Sequence, residues 1–201
     1  MKKAIIASVV GIVTSVTMVS SSFGQGFVVF GNYNGGTLNA PVTFATDGMS
    51  GATSVTAGEG VGSEFTADLL YSLNGGTSYT LLTQANANAG TAYPTAFFGS
   101  DTSTANYGGT FYGPTITIPD YTSGAISFIV QAYNGATYGA AGFWNGQSSA
   151  FTLPSIATGQ NPAGDFGAAM QGFTVSVPEP ATLALAGLGS LTLLAFRRRK
   201  A

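Results

Sequence analysis

The chain has no cysteine and no histidine among its 201 residues, and its basic residues are confined to the two ends. These basic residues are Lys2, Lys3, Arg197, Arg198, Arg199 and Lys200. The body between the ends, residues 25–177, has seven acids and no basic residue, which gives a formal charge of −7. The acids are Asp47, Glu59, Glu64, Asp68, Asp101, Asp120 and Asp165. Since no ion pair can form between side chains of the body, each acid is expected to be solvated, to accept hydrogen bonds or to hold a metal.

These absences exclude several kinds of chemistry. Nucleic-acid binding needs cations that displace counterions from phosphates. Ser-His-Asp and Cys-His catalysis would lack their base, Schiff-base chemistry its lysine, and zinc sites their imidazole and thiolate ligands. The absence of cysteine also means that no disulfide can form, although an oxidising compartment would permit one. The sequence therefore predicts a body that is not an enzyme, has no nucleic-acid partner and needs no cofactor.

The pattern of apolar and turn-forming residues in the body predicts many short strands. Apolar residues come in short runs separated by glycine, asparagine, serine and threonine, which is typical of β-strands joined by turns. We expect an all-β fold in which residues 25–176 form an antiparallel β-sandwich. Jelly-roll and immunoglobulin-like connectivity both fit this pattern.

Alternation of apolar and polar residues identifies the principal strands. Residues 125–133 are apolar on both faces and are predicted to be a central strand. Residues 64–73 and 78–83 are predicted to form a hairpin, because the Asn-Gly-Gly between them suits positive φ angles. Residues 47–62 and 136–147 have no such alternation and are interpreted as loops.

Carboxylates are candidates for two kinds of site. Glycoside hydrolysis needs two of them at a set separation, and Glu59 with Glu64, or Glu64 with Asp68, are the nominal pairs. Four residues along one strand separate Glu64 from Asp68 by about 13 Å, which is too far for either mechanism. Calcium needs several oxygen ligands, and residues 47–59 have a suitable oxygen-rich composition. A solvated loop has the same composition, so calcium is an alternative and no metal site is predicted.

Aromatic side chains suggest a third kind of site. Trp144, Tyr133 and Tyr138 are candidates for stacking on sugar rings, with neighbouring amides bonding the sugar hydroxyls. The alternative is that the tryptophan fills the core of the sandwich and the tyrosines line its edge.

The beginning of the chain has the pattern of a secretory signal peptide. Lys2 and Lys3 precede an apolar run over residues 4–19, and small residues follow up to Gly24. A cut after Gly24 would place small residues at the cleavage positions. Residues 1–24 are therefore predicted to be a signal peptide, which implies the Sec translocon and signal peptidase as partners.

The last 25 residues, 177–201, have the pattern of a targeting signal and a temporary membrane anchor. Residues 177–182 are Val-Pro-Glu-Pro-Ala-Thr, in which two prolines favour an extended segment that a protease can bind. Residues 181–196 are uncharged and would span about 24 Å as a transmembrane helix. Residues 197–200 are basic, and the positive-inside tendency places them in the cytoplasm with the body on the other side.

This order of motif, apolar run and basic end closely resembles the PEP-CTERM sorting signal of Gram-negative bacteria. The resemblance implies recognition by an exosortase-type membrane protease, cleavage near the motif, and transfer to the surface or the extracellular matrix. The sorting motif maps onto Val177, Pro178, Glu179 and Pro180, and the membrane-stop cluster onto Arg197, Arg198, Arg199 and Lys200. Within the body, the pattern of residues 131–134 followed by residues 144–148 resembles exported PEP-CTERM proteins of the Verrucomicrobia. The bodies of those proteins have no assigned activity, so the resemblance implies none for this chain.

We therefore expect an exported protein with a non-catalytic structural or interaction role. Its precursor would be anchored in the inner membrane, and the cleaved form would reach the cell surface or the medium in association with exopolysaccharide. A carbohydrate-binding module that uses Trp144 and nearby aromatics is the alternative, and a glycoside hydrolase ranks below it.

Overall fold

The computed structural model describes residues 24–34, 39–50, 53–87, 93–97, 108–159 and 163–177. This part of the chain is mostly β-structure, which confirms the predicted all-β class. Its strands are β1 (Gln25–Gly31), β2 (Val42–Phe44), β3 (Gly48–Ser50), β4 (Thr53–Val55), β5 (Thr66–Ser72), β6 (Thr80–Leu81), β7 (Thr95–Ala96), β8 (Tyr112–Pro119), β9 (Ile126–Tyr133), β10 (Asn145–Gln147), β11 (Phe151–Leu153), β12 (Ala157–Thr158) and β13 (Phe173–Val175). A single helical turn, α1 (Gln84–Ala87), follows β6, and a 3-10 turn at Gly167–Ala169 precedes β13.

The predicted membrane helix over residues 181–196 lies outside these ranges, as do nearly all residues of the predicted signal peptide. Among the described residues, no helix has the length and apolar character needed to cross a bilayer.

The larger sheet has the order β10-β9-β5-β6, with β11 also paired to β9 and β7 to β5. Strand β9 lies between β10 and β5, which confirms its predicted central position. The antiparallel register runs from Thr66 opposite Tyr133 to Ser72 opposite Ser127. The hairpin from β5 to β6 is confirmed too, with φ angles of +72° at Gly75 and +82° at Gly76 in its turn.

The smaller sheet, β12-β1-β8, packs on the inner face of the larger one. Phe166 joins the two sheets, because its ring centroid lies 6.2 Å from that of Phe30 on β1 and 5.3 Å from that of Phe128 on β9. All three side chains are fully buried. Two sheets around one apolar core are compatible with the expected sandwich.

Strand β13 departs from the expected antiparallel pattern. It pairs in parallel with β2, with Val175 opposite Phe44. Two strands from opposite ends of the body can run side by side in this way because a long connection separates them.

Two segments that were interpreted as loops contain strands. Residues 47–62 include the antiparallel pair β3 and β4, and residues 136–147 end in β10. The sequence of β10 is Asn-Gly-Gln, which has little intrinsic strand preference. It is extended because it pairs with residues 131–133 of β9, so tertiary pairing outweighs local preference here.

Candidate functional site

The outer face of the larger sheet carries a band of polar side chains. Alternation along β9 directs Phe128 and Val130 into the core and Gln131 and Tyr133 to the outer face. The register places Gln131 opposite Asp68 of β5, so polar groups of neighbouring strands meet on this face. This band is the first part of the candidate site.

At its centre lies a carboxylate–phenol pair. The hydroxyl of Tyr133 donates a hydrogen bond to Oδ2 of Asp68 at 2.6 Å, and the two residues are 8% and 7% exposed. Burial raises the pKa of Asp68, while the hydrogen bond from Tyr133 opposes the rise. Burial and the bond to Asp68 both raise the pKa of Tyr133, so this phenol stays protonated as the donor. The pair links β5 to β9 through side chains and leaves Oδ2 of the carboxylate engaged.

Tyr133 of this pair also contacts Tyr138, and both tyrosines are candidate glycan-contact residues. The rings of Tyr133 and Tyr138 pack edge to face with their centroids 6.3 Å apart. Nearby, Nε2 of Gln131 donates to Oε1 of Gln147 at 3.2 Å. Tyr138 is half-buried, so of the two tyrosines it is the one with more surface to offer a ligand.

The third predicted glycan-contact residue, Trp144, lies on the opposite side of the sheet. It is 4% exposed, packs edge to face on Phe44 at 5.0 Å, and donates from Nε1 to the carbonyl of Met49 at 2.8 Å. Because its indole is buried, Trp144 occupies the core position that was given above as the alternative to a glycan contact. Its neighbour Asn145 pairs with Tyr133, and strand alternation sends consecutive side chains to opposite faces.

The loop considered for calcium uses its carboxylates differently. Oδ1 of Asp47 accepts from the backbone N–H of Ala57 at 2.9 Å, and Oε2 of Glu59 accepts from that of Thr56 at 2.8 Å. These bonds hold the turn that follows β4. In the described ranges, no three acidic side chains cluster in a way that could hold a metal ion.

A second part of the candidate site is an uncharged cavity of about 430 Å³ beside β13. Its lining includes Gln147, Phe151, Gln171, Phe173 and Thr174, and no residue in the lining is charged. Amides and a hydroxyl around aromatic rings suit a neutral, hydroxyl-bearing ligand. None of these residues was predicted as a site, because β10 and β13 come together only through tertiary pairing.

The third part is the point where the chain leaves the fold. Ser176, directly after β13, exchanges two backbone hydrogen bonds with Asn145 of β10, at 2.9 and 3.0 Å. Val175 is fully buried, and Val177 packs against the core. The predicted motif residues Pro178, Glu179 and Pro180 follow at once but lie outside the described residues, as do Arg197 to Lys200.

The family model of the PEP-CTERM protein-sorting motif matches residues 176–200. The motif indicates an exported protein that is sorted by way of the membrane, and it implies processing by an exosortase, itself a membrane protein.

No curated protein and no solved structure matches the chain. The comparisons therefore lend no support to the resemblance to verrucomicrobial proteins. The boundaries proposed for the signal peptide and the tail, at residues 24 and 177, stay predictions.

Proposed function

We propose that this protein is exported, loses its C-terminal segment at the sorting motif, and then acts without catalysis at the cell surface or in an exopolysaccharide matrix. The observation that carries the proposal is the motif match over residues 176–200, directly behind the last strand of the all-β body. The composition supports the non-catalytic part, because the body has no imidazole, thiol or amine side chain.

The test is the intact mass of the protein recovered from the medium and envelope of its own host. The expected species lacks about the first 24 residues and everything beyond about Pro180. Glu179→Gln should keep the precursor in the inner membrane, whereas Asp120→Asn, which removes the same charge from the body, should be processed like the parent. A body that carries its intact C-terminus in the medium would contradict the proposal.

A second candidate function is the binding of a neutral glycan in the cavity beside β13. The uncharged lining supports it, and a body with a formal charge of −7 repels anionic polymers. Gln147→Ala combined with Gln171→Ala should weaken binding to neutral polysaccharides at least fivefold. Tyr112→Ala, which removes a 53% exposed aromatic from the other sheet, should leave binding unchanged. Calorimetry with a panel of neutral and acidic polysaccharides measures this, and equal losses for both variants would point to another surface.

A further inference from the structure

The sorting signal overlaps the folded body. The family match begins at Ser176, and the structure holds Ser176 and Val177 in place. No spacer therefore separates the last paired residue of the sheet from the Pro-Glu-Pro stretch.

The end of the body is held from both sides. On one side the backbone N–H of Ala45, next to β2, donates to the carbonyl of Val175 at 2.9 Å. On the other side Asn145 of β10 bonds Ser176, and the side chain of Val175 is fully buried between them. Lengthening the exposed tail by unpairing these residues would break backbone bonds on both sides and expose Val175 to water.

The reach of the chain limits where a protease can work. Pro178, Glu179 and Pro180 are the first three residues after Val177, and three extended residues span at most about 11 Å. A protease cleft that takes up this stretch brings its rim within that distance of the body. Contact between the protease and the body then follows unless the body unfolds.

We infer that the surface around the exit of β13 docks against the membrane protease that cuts the sorting motif. This exit surface consists of Phe143, Asn145, Ser176 and Val177. Phe143 gives it an exposed apolar side chain, 47% accessible, and the amide of Asn145 donates to the carbonyl of Phe143 at 3.1 Å. The four residues are uncharged, so docking costs no charge desolvation on this side of the interface. The inference rests on the proposed function, since it requires cleavage near the motif.

The absence of native cysteine makes a clean crosslinking experiment possible. Phe143→Cys and, separately, Ser176→Cys in the full-length chain would each carry a short photoactivatable crosslinker in membranes of the host. Thr77→Cys is the matched control, because it is exposed in the hairpin turn at the opposite end of β5, about 20 Å from the exit end of that strand. Circular dichroism of each variant verifies that the body folds.

The expected result is a crosslink to the motif-cutting membrane protease, identified by mass spectrometry, that is at least fivefold stronger from positions 143 and 176 than from 77. Equal yields from all three positions, in chains whose mass shows normal removal of the motif, would overturn the docking inference. Failure of the proposed function gives a different result, because the mass of the chain would then retain the motif.

A linker variant separates forced proximity from intrinsic affinity. About 20 glycine and serine residues inserted between Val177 and Pro178 let the protease act far from the body. If the ratio of crosslinking at positions 143 and 176 to that at 77 falls towards one, the absence of a spacer in the natural chain is the cause of contact. A preference that persists identifies an exit surface with affinity of its own, and both results support docking in the natural chain.

Discussion

Asn32 is predicted to be the polar side chain on which the stability of the body depends most. It is fully buried, directly after β1. Its Nδ2 donates to the carbonyls of Ala40 and Gly109 at 2.9 and 2.8 Å, and its Oδ1 accepts from the backbone N–H of Phe111 at 2.6 Å. One amide thus ties the end of β1 to Ala40 and to residues 109–111, and all of its partners are backbone groups.

The cost of Asn32→Ala follows from these three bonds. A typical intramolecular hydrogen bond contributes about 0.5–1.5 kcal/mol, and a buried group left unpaired costs about 1–3 kcal/mol. The carbonyl of Gly109 keeps a second donor, the N–H of Val42 at 2.8 Å, so the larger penalty falls on the N–H of Phe111 and the carbonyl of Ala40. We expect a loss of about 3–5 kcal/mol in the free energy of unfolding. Asn32→Asp should cost at least as much, because a carboxylate oxygen would then face two carbonyl oxygens.

Urea unfolding of the purified chain measures this loss through the fluorescence of Trp144, the one tryptophan in the sequence and a buried residue. With a slope of about 2 kcal/mol per molar urea, the midpoint should fall by roughly 2 M. Asn86→Ala, at an exposed position in α1, is the control and should change stability by no more than about 0.5 kcal/mol. A loss below about 1 kcal/mol for Asn32→Ala would refute the reasoning, since it would mean that the bonds of this amide add nothing net.

Three further predictions concern the sheets and turns. Because the pKa of Asp68 is raised in the fold, ionisation of this carboxyl opposes folding. The parent should therefore lose stability relative to Asp68→Asn as the pH rises from the ordinary pKa of 3.8 through the raised one. Urea unfolding between pH 4 and 8 tests this, and unfolding free energies that change with pH in parallel for the two proteins would contradict it. Tyr93→Phe should cost about 2–3 kcal/mol, because the hydroxyl accepts from a backbone N–H of β5 and donates to a carbonyl beyond β6, both at 3.0 Å; an unchanged midpoint would show that water replaces it. Gly109→Ala should destabilise more than Gly58→Ala, since both have positive φ but only at Gly109 would a Cβ lie 2.1 Å from the carbonyl oxygen of Val42; equal midpoints for the two would mean that the backbone shifts freely there.

Local signals account for what the sequence predicted correctly. In β9, alternation placed Phe128 and Val130 on one face, and both are fully buried. In the turn at residues 74–76, two glycines with positive φ were expected and are present. Such features depend on a few neighbouring residues, so they can be read without knowing the rest of the fold.

The features that the sequence did not predict are set by contacts between distant residues. Trp144 was considered as a surface for sugar stacking because nothing local says which face of the sheet its side chain takes. The pairing of its neighbour Asn145 with Tyr133 decides that Trp144 points inward. Asp68 was considered only as half of a catalytic pair of acids. Its real partner, Tyr133, is 65 positions away, and the register of two strands brings them together.

The distribution of charge connects the fold to the proposed export. The full chain has a formal charge of −2, and removal of both terminal segments would take away all six cations and Glu179, which leaves −7. Several acids of the body accept hydrogen bonds from neutral donors in place of cations: backbone N–H groups at Asp47 and Glu59, and the phenol of Tyr133 at Asp68. These contacts therefore do not depend on the residues that processing would remove. The processed bodies should repel one another and repel acidic polymers at low salt. A neutral glycan, or a protein surface that supplies cations, is therefore the contact that the electrostatics of this body favour.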